Sequence, residues 1–330
     1  MPNEDVMLKH VRSGAALPLI GVAILSPALG RAQAQRPTRQ VVQSEMLVST
    51  TWLERHLNDR DLVVLQVGQD RGQFDSGHIP GSRFVRLDEL VEQHSESLNE
   101  LPAATDLAET FASLGVGDQS HVVLVDDVGG VLAARAYFTL DYLGHGDHTA
   151  LLDGGLKTWV AESTILSTSQ SAITRTEFHP RVHSDILVTT TQMQHLSLEA
   201  SQGASDYALL DARPMAEHSG LVNSESVSQA GHIAGSQSLY WKRLIRSEGN
   251  PQLLDEEDLI RQFENAGAGP GKLVVTYCRT GMQSSFTYFV AKYLGYRAAM
   301  YDGSVYEWVR TSGSVLVRSQ VPDRTIAAHQ

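Results

Sequence analysis

The chain repeats itself, and that repeat constrains the fold more than any other feature. "SGHIPGS" at Ser76 to Ser82 returns as "AGHIAGS" at Ala230 to Ser236. "FTLDYLGH" at Phe138 to His145 returns as "YFVAKYLGY" at Tyr288 to Tyr296, and "LDGGLKTW" at Leu152 to Trp159 returns as "YDGSVYEW" at Tyr301 to Trp308. The matches keep their order in both halves, so two copies of one domain are expected. A length of 330 residues suits two domains of ordinary size.

Each copy alternates apolar runs with helical spacing. "LVVLQVG" (Leu62 to Gly68) and "HVVLVDD" (His121 to Asp127) read as buried strands in the first copy, "YALLDAR" and "KLVVTYC" in the second. "VLAARAYFTLDYLG" and "QSSFTYFVAKYLG" follow them with helical period. The expected class is α/β, two tandem domains, each a parallel sheet covered by helices on both faces. The expected boundaries are 47–161 for the first domain, 162–185 for a Ser- and Thr-rich linker, 186–311 for the second domain and 312–330 for a loosely packed tail. Residues 1–34 read as a signal peptide, since Lys9 and Arg12 precede an apolar stretch that ends at "AQA", Ala32 to Ala34. Export, with a periplasmic location and no membrane span in the mature chain, is the expectation. A cytoplasmic location is the alternative.

The net charge of −12, with no lysine or arginine block, excludes a nucleic-acid partner. One cysteine, Cys278, cannot form an internal disulfide. It closes a strand in "VVTYCRTGMQSS", Val274 to Ser285, just before a helix. In an open α/β sheet that position faces the ligand. The backbone N–H groups of Arg279, Thr280, Gly281, Met282, Gln283 and Ser284 can cradle an anion there, and the same field favours the thiolate that a nucleophile requires. The histidines show no metal-ligand spacing, and no metal is expected. Aligning "YLG" at Tyr142 with "YLG" at Tyr293 sets Cys278 opposite Asp127, so the first copy lacks a nucleophile.

"CRTGMQS" closing a strand, "GHIAGS" before it and "YDGSVYEW" after it resemble the rhodanese family of sulfurtransferases. The tandem repeat is similar to the two-domain thiosulfate and 3-mercaptopyruvate sulfurtransferases. The resemblance implies that Cys278 takes a sulfur from a small anionic donor as a persulfide and passes it to a thiol or cyanide, with no cofactor. It implies donor binding by Arg213, with Arg279 as a second cation, and a Thr280 hydroxyl near the sulfur. It implies structural support from Asp211, accepting loop hydrogen bonds, and from His232, fixing the turn of its "GHI" motif. His78 has the same role in the first copy, and Asp153, Asp302, Trp159 and Trp308 pack within their own copies. "C-R-T-G" lies between the "C-R-K-G" of the thiosulfate enzymes and the "C-G-S-G" of the mercaptopyruvate enzymes. Thiosulfate is favoured because Pro214 to Gly231 contains no arginine. Ser284 stands where Cys-x5-Arg phosphatases carry arginine, which disfavours phosphate. A non-enzymatic binding module, or a persulfide carrier serving a protein acceptor, is the reading from another class.

Overall fold

A computed structural model describes residues 41–94, 98–162, 165–203, 206–223, 227 and 229–319. The leader expected over 1–34 and the last residues of the tail lie outside them.

The first domain contains β1 (Leu47–Val48), α1 (Thr50–His56), β2 (Leu62–Gly68), α2 (Gly72–Ser76), β3 (Arg83–Arg86), β4 (Glu92–Gln93), β5 (Leu98–Glu100), α3 (Ala104–Ser113), β6 (His121–Val125), α4 (Val131–Tyr142), β7 (Thr149–Leu152) and α5 (Gly155–Glu162). Its sheet has the order β1-β7-β6-β2-β3, all parallel, while β4 and β5 form a separate antiparallel hairpin. The second domain contains α6 (Thr190–Ser201), β8 (Tyr207–Asp211), α7 (Met215–Ser219), β9 (His232–Ile233), β10 (Gln237–Ser238), α8 (Glu256–Asn265), β11 (Leu273–Tyr277), α9 (Met282–Tyr293), β12 (Arg297–Met300), α10 (Ser304–Trp308) and β13 (Leu316–Val317). Its sheet has the order β10-β8-β11-β12, again parallel. The central strands are apolar on both faces because helices cover both faces.

The two domains share a core. Helices α4 and α9 pack against each other, with Tyr137 edge-on to Phe289 (centroids 5.0 Å apart) and Phe138 edge-on to Tyr288 (5.1 Å). One apolar cluster runs through both domains, and the far face of each sheet has a smaller cluster of its own. Helix α4 is therefore buried from Leu132 to Asp141, on all sides rather than on one stripe.

Two expectations change. The segment read as a linker packs along the first domain: Ser167 bridges to His78, and Arg181 N and His183 N donate to Leu143 O and Tyr142 O, both at 2.8 Å. The start of the expected loose tail is ordered, since Leu316 and Val317 pair antiparallel with Ile233 and His232.

Candidate active site

Strand β11 ends at Tyr277, and Gly281 turns the chain into α9 with φ 83°, a left-handed conformation that glycine adopts without penalty. Between them lies Cys278, 1% exposed. The loop is held from below by Ser304, whose Oγ accepts from Cys278 N (3.1 Å) and Gly281 N (3.2 Å) and donates to Tyr301 O (3.0 Å). Val305 N and Tyr306 N close on Cys278 O and Arg279 O at 3.1 and 2.9 Å. Ser304 has φ 52°, where the first domain has Gly155 at φ 61°. A serine accepts this strained backbone because its hydroxyl organises the loop. The sequence signal was available, since "DGG" in one copy is "DGS" in the other. Ser284 Oγ lies 3.5 Å from Cys278 Sγ and 3.0 Å from Gly281 O. Met282 and Gln283 begin the helix and are half-buried.

The first domain shows what this loop geometry binds. Strand β6 ends at Val125 as β11 ends at Tyr277, and α4 starts after left-handed Gly130 as α9 starts after Gly281. The intervening stretch is Asp126 to Gly130 in one domain and Cys278 to Gly281 in the other, so the first loop is one residue longer. Counting from the strand, Asp126 and not Asp127 is the counterpart of Cys278. Alignment on the helix gave Asp127 because it could not see the insertion. The Asp126 carboxylate accepts from Val128 N (3.0 Å), Gly130 N (2.8 Å), Leu132 N (2.7 Å) and Ala133 N (3.0 Å). Burial pushes its pKa up, and these four N–H groups pull against that. The first loop thus closes around an anion of its own.

Four side chains stand elsewhere than expected. Arg213 is 2% exposed and bound to its own strand end: Nε donates to Asp211 Oδ1 (2.9 Å), Nη2 to Asp211 Oδ2 (2.6 Å) and to Gly231 O (2.8 Å). Asp211 consequently accepts from Arg213 and from His218 Nδ1 (3.1 Å), not from the cysteine loop. Burial alone would raise the Asp211 pKa, but the Arg213 charge and the hydrogen bonds from His218 and Arg213 hold it down at about 2. Arg279 forms a two-pronged ion pair with Glu217 of α7, so its charge is already partnered. That pairing raises the Arg279 pKa, chiefly through the hydrogen bond to Glu217. Thr280 Oγ1 accepts from Asn99 Nδ2 at 3.0 Å, which turns its hydroxyl towards the first domain. His232 Nδ1–H donates to His218 O (2.8 Å) and its ring stacks on His218 at 3.9 Å. Burial, then the neighbouring His218, lowers the His232 pKa. His78 makes the matching bond to Phe74 O (2.7 Å).

The first domain therefore reaches the cysteine loop. Asn99, in the β4–β5 hairpin, touches Thr280, and Arg135 of α4 binds Asp302 Oδ1 (2.5 Å), Asp302 Oδ2 (3.0 Å) and Asn99 O (2.5 Å). The related Asp153 crosses the other way, with Oδ1 accepting from Leu253 N at 2.9 Å. Both "DG" aspartates thus bind the opposite domain rather than packing only within their own.

The rhodanese-like domain family matches residues 49–162 and 195–311. A sulfur carrier protein of Thermus thermophilus, TtuD, is 30% identical over 286 residues, 84% of this chain and 98% of that one. A thiosulfate sulfurtransferase of Pseudomonas aeruginosa is 31% identical over 264 residues, 80% and 93% of the two chains. The crystal structure of the 3-mercaptopyruvate sulfotransferase SseA from Escherichia coli superposes with a TM-score of 0.68 at 23% identity, covering 78% of this chain and 98% of that one. With both copies matched and the relatives covered almost end to end, the chain belongs to the rhodanese family as a tandem-domain sulfurtransferase.

Proposed function

We propose that Cys278 is the sulfur-carrying nucleophile and that thiosulfate is the donor. The Cys278 thiolate attacks the outer sulfur of thiosulfate; the new S–S bond forms as the donor S–S bond breaks, and sulfite leaves with the electron pair. A thiol or cyanide then attacks the terminal sulfur and returns Cys278 as thiolate. The observation that carries this reading is the Asp126 carboxylate held by four amides in the equivalent loop. Leu132 N and Ala133 N correspond to Gln283 N and Ser284 N, in the first turn of α9, where N–H groups lack intrahelical acceptors. A persulfide anion on Cys278 would take the place of that carboxylate. Arg279 keeps its charge beside the cysteine, and Pro214 to Gly231 supplies no further arginine, which favours thiosulfate over mercaptopyruvate. Arg213 supports the strand end in this reading and reaches the donor only if its pair with Asp211 opens. No resident cofactor takes part.

The test is intact mass after incubation with thiosulfate and, separately, with 3-mercaptopyruvate. One added sulfur from thiosulfate, absent in Cys278→Ser, is expected. A sulfur gained only from mercaptopyruvate reverses the donor, and a sulfur retained in Cys278→Ser removes the cysteine from the mechanism. A persulfide carrier for a protein acceptor is the second reading, favoured by the similarity to the Thermus sulfur carrier protein. Export to the periplasm is proposed from the leader, and N-terminal sequencing of the mature protein, starting near Gln35, tests it.

A further inference from the structure

Two arginines stand at the carboxyl ends of the strands that carry the site, Arg213 after β8 and Arg279 after β11. Each already holds a carboxylate. Arg213 is bound to Asp211 and to Gly231 O, with its side chain 2% exposed. Arg279 binds Glu217 through Nε (2.9 Å to Oε2) and through Nη2 to Oε1. The four charges cancel in pairs, so an anion that approaches Cys278 meets no spare positive charge from these residues.

The two pairs differ in access. The Arg279 side chain is 34% exposed, so a solute reaches it from solvent, while the side chain of Glu217 is 5% exposed. The Nε–Nη2 edge of a guanidinium takes the two oxygens of a carboxylate or of a sulfonyl group in the same two-pronged way. Glu217 therefore occupies that edge of the one of these two arginines that an anionic sulfur donor can reach. Its backbone is anchored by the next residue: His218 Nδ1 bonds Asp211 Oδ2 (3.1 Å), and His218 O accepts from His232 Nδ1 (2.8 Å). Displacement of the carboxylate is accordingly a rotation of the Glu217 side chain, with α7 left in place.

We propose that Glu217 is a specificity-determining residue, an internal competitor for Arg279 that sets how tightly the site holds anions. The donor's oxygens displace it, and it returns to Arg279 as the sulfite leaves. An unopposed Arg279 would retain sulfite and other oxyanions that do no chemistry. The inference rests on the reading of Cys278 as a nucleophile served by an anionic donor.

Cys278 is the single cysteine of the chain, so its alkylation probes the site without any sulfur donor. The experiment compares the rates at which iodoacetate and iodoacetamide modify the full chain, followed by intact mass. The two reagents deliver groups of nearly equal size and differ in the carboxylate. Glu217→Gln should accelerate iodoacetate about tenfold, the scale of one charged hydrogen bond, and iodoacetamide less than about twofold. In an Arg279→Gln background the same change should leave the ratio of the two rates unaltered. With thiosulfate, the half-saturating concentration for persulfide formation should fall about tenfold in Glu217→Gln. A parent chain that gains no sulfur from thiosulfate removes that donor and leaves the competitor to be judged by alkylation. If Glu217 only braces the loop, its loss opens the thiol to both reagents alike. Equal acceleration of both, no acceleration of iodoacetate, or a gain that persists without Arg279 would overturn the proposal.

Discussion

The Arg135 guanidinium of the first domain and the Asp302 carboxylate of the second form a two-pronged buried ion pair under the cysteine loop. The side chain of Arg135 is fully buried and that of Asp302 is 9% exposed. Gly281 sits so close above that a Cβ there would collide with Asp302 Oδ1. The loop, the "DG" turn and the first domain therefore share one contact. Removing one partner leaves an uncompensated buried charge, which destabilises by about 3–5 kcal/mol. Arg135→Met and Asp302→Leu should each lower the unfolding free energy, read from urea titration, by that order, and the double variant should recover most of the loss. If the double variant is as unstable as the sum of the singles, the pair is not the coupled unit described here.

Asn99 offers a milder probe of the same coupling. Its φ of 60° suits asparagine or glycine, and its side chain donates to Thr280 Oγ1 and, at 3.3 Å, to Thr280 O. Asn99→Gly keeps the backbone and deletes the contact to Thr280 together with one exposed bond within the hairpin, from Gln93 Nε2 to Asn99 Oδ1 at 2.7 Å. The expected outcome is an unchanged thermal midpoint and a sulfur-transfer kcat/KM reduced about fivefold, the scale of one hydrogen bond. An unaltered kcat/KM would confine the first domain to a scaffolding role at this loop.

Most of the fold was legible because the repeat and the apolar strands are written locally. The strand–loop–helix around Cys278 needed only Val274–Tyr277, Gly281 and the periodicity after it. The wiring of the site was less legible. Arg213 and Arg279 look like free cations in sequence, but their partners Asp211 and Glu217 become partners only when β8 and α7 are folded beside them. Asn99 and Arg135 carry no motif at all, because their contacts cross from one domain to the other. The displaced counterpart, Asp126 for Asp127, arose because a one-residue insertion inside a loop is invisible to an alignment anchored on the helix that follows it.

Ser304 makes a prediction about strain. The residue holds φ 52° and its Oγ accepts from both Cys278 N and Gly281 N. Ser304→Gly relieves the backbone and removes the hydroxyl, as in the first domain's Gly155. Stability should fall by about 1–3 kcal/mol, because Cys278 N and Gly281 N lose their buried acceptor, while the rate of persulfide formation falls about tenfold or more, since preorganised loop donors typically matter at that scale or above. Single-turnover mass spectrometry with thiosulfate measures it. A parent-like rate would show that Ser304 is only a turn residue.

The acid response separates two groups around the second domain's strand end. His232 is held neutral by burial and by His218, so its folded pKa lies below the ordinary 6.5. Between those two values the unfolded chain binds more protons, and stability falls as pH drops below 6.5. Asp211 behaves at lower pH. Its folded value of about 2 lies below the ordinary 3.8, so its contribution is complete above 3.8 and is lost as pH falls through about 2. The shift corresponds to about 2 kcal/mol. Urea midpoints between pH 7 and pH 5 should therefore decline with a slope that His232→Asn flattens, whatever that variant does to absolute stability. Asp211→Asn should destabilise the protein throughout this range, by leaving Arg213 buried and unpaired, and should steepen rather than flatten the slope, since the Asp211 charge raises the His232 pKa and its loss lowers it further. A parent-like slope in His232→Asn would mean that His232 titrates equally in both states, and the acid sensitivity would then belong to other groups, foremost the buried His145 of the first domain, whose pKa burial likewise lowers.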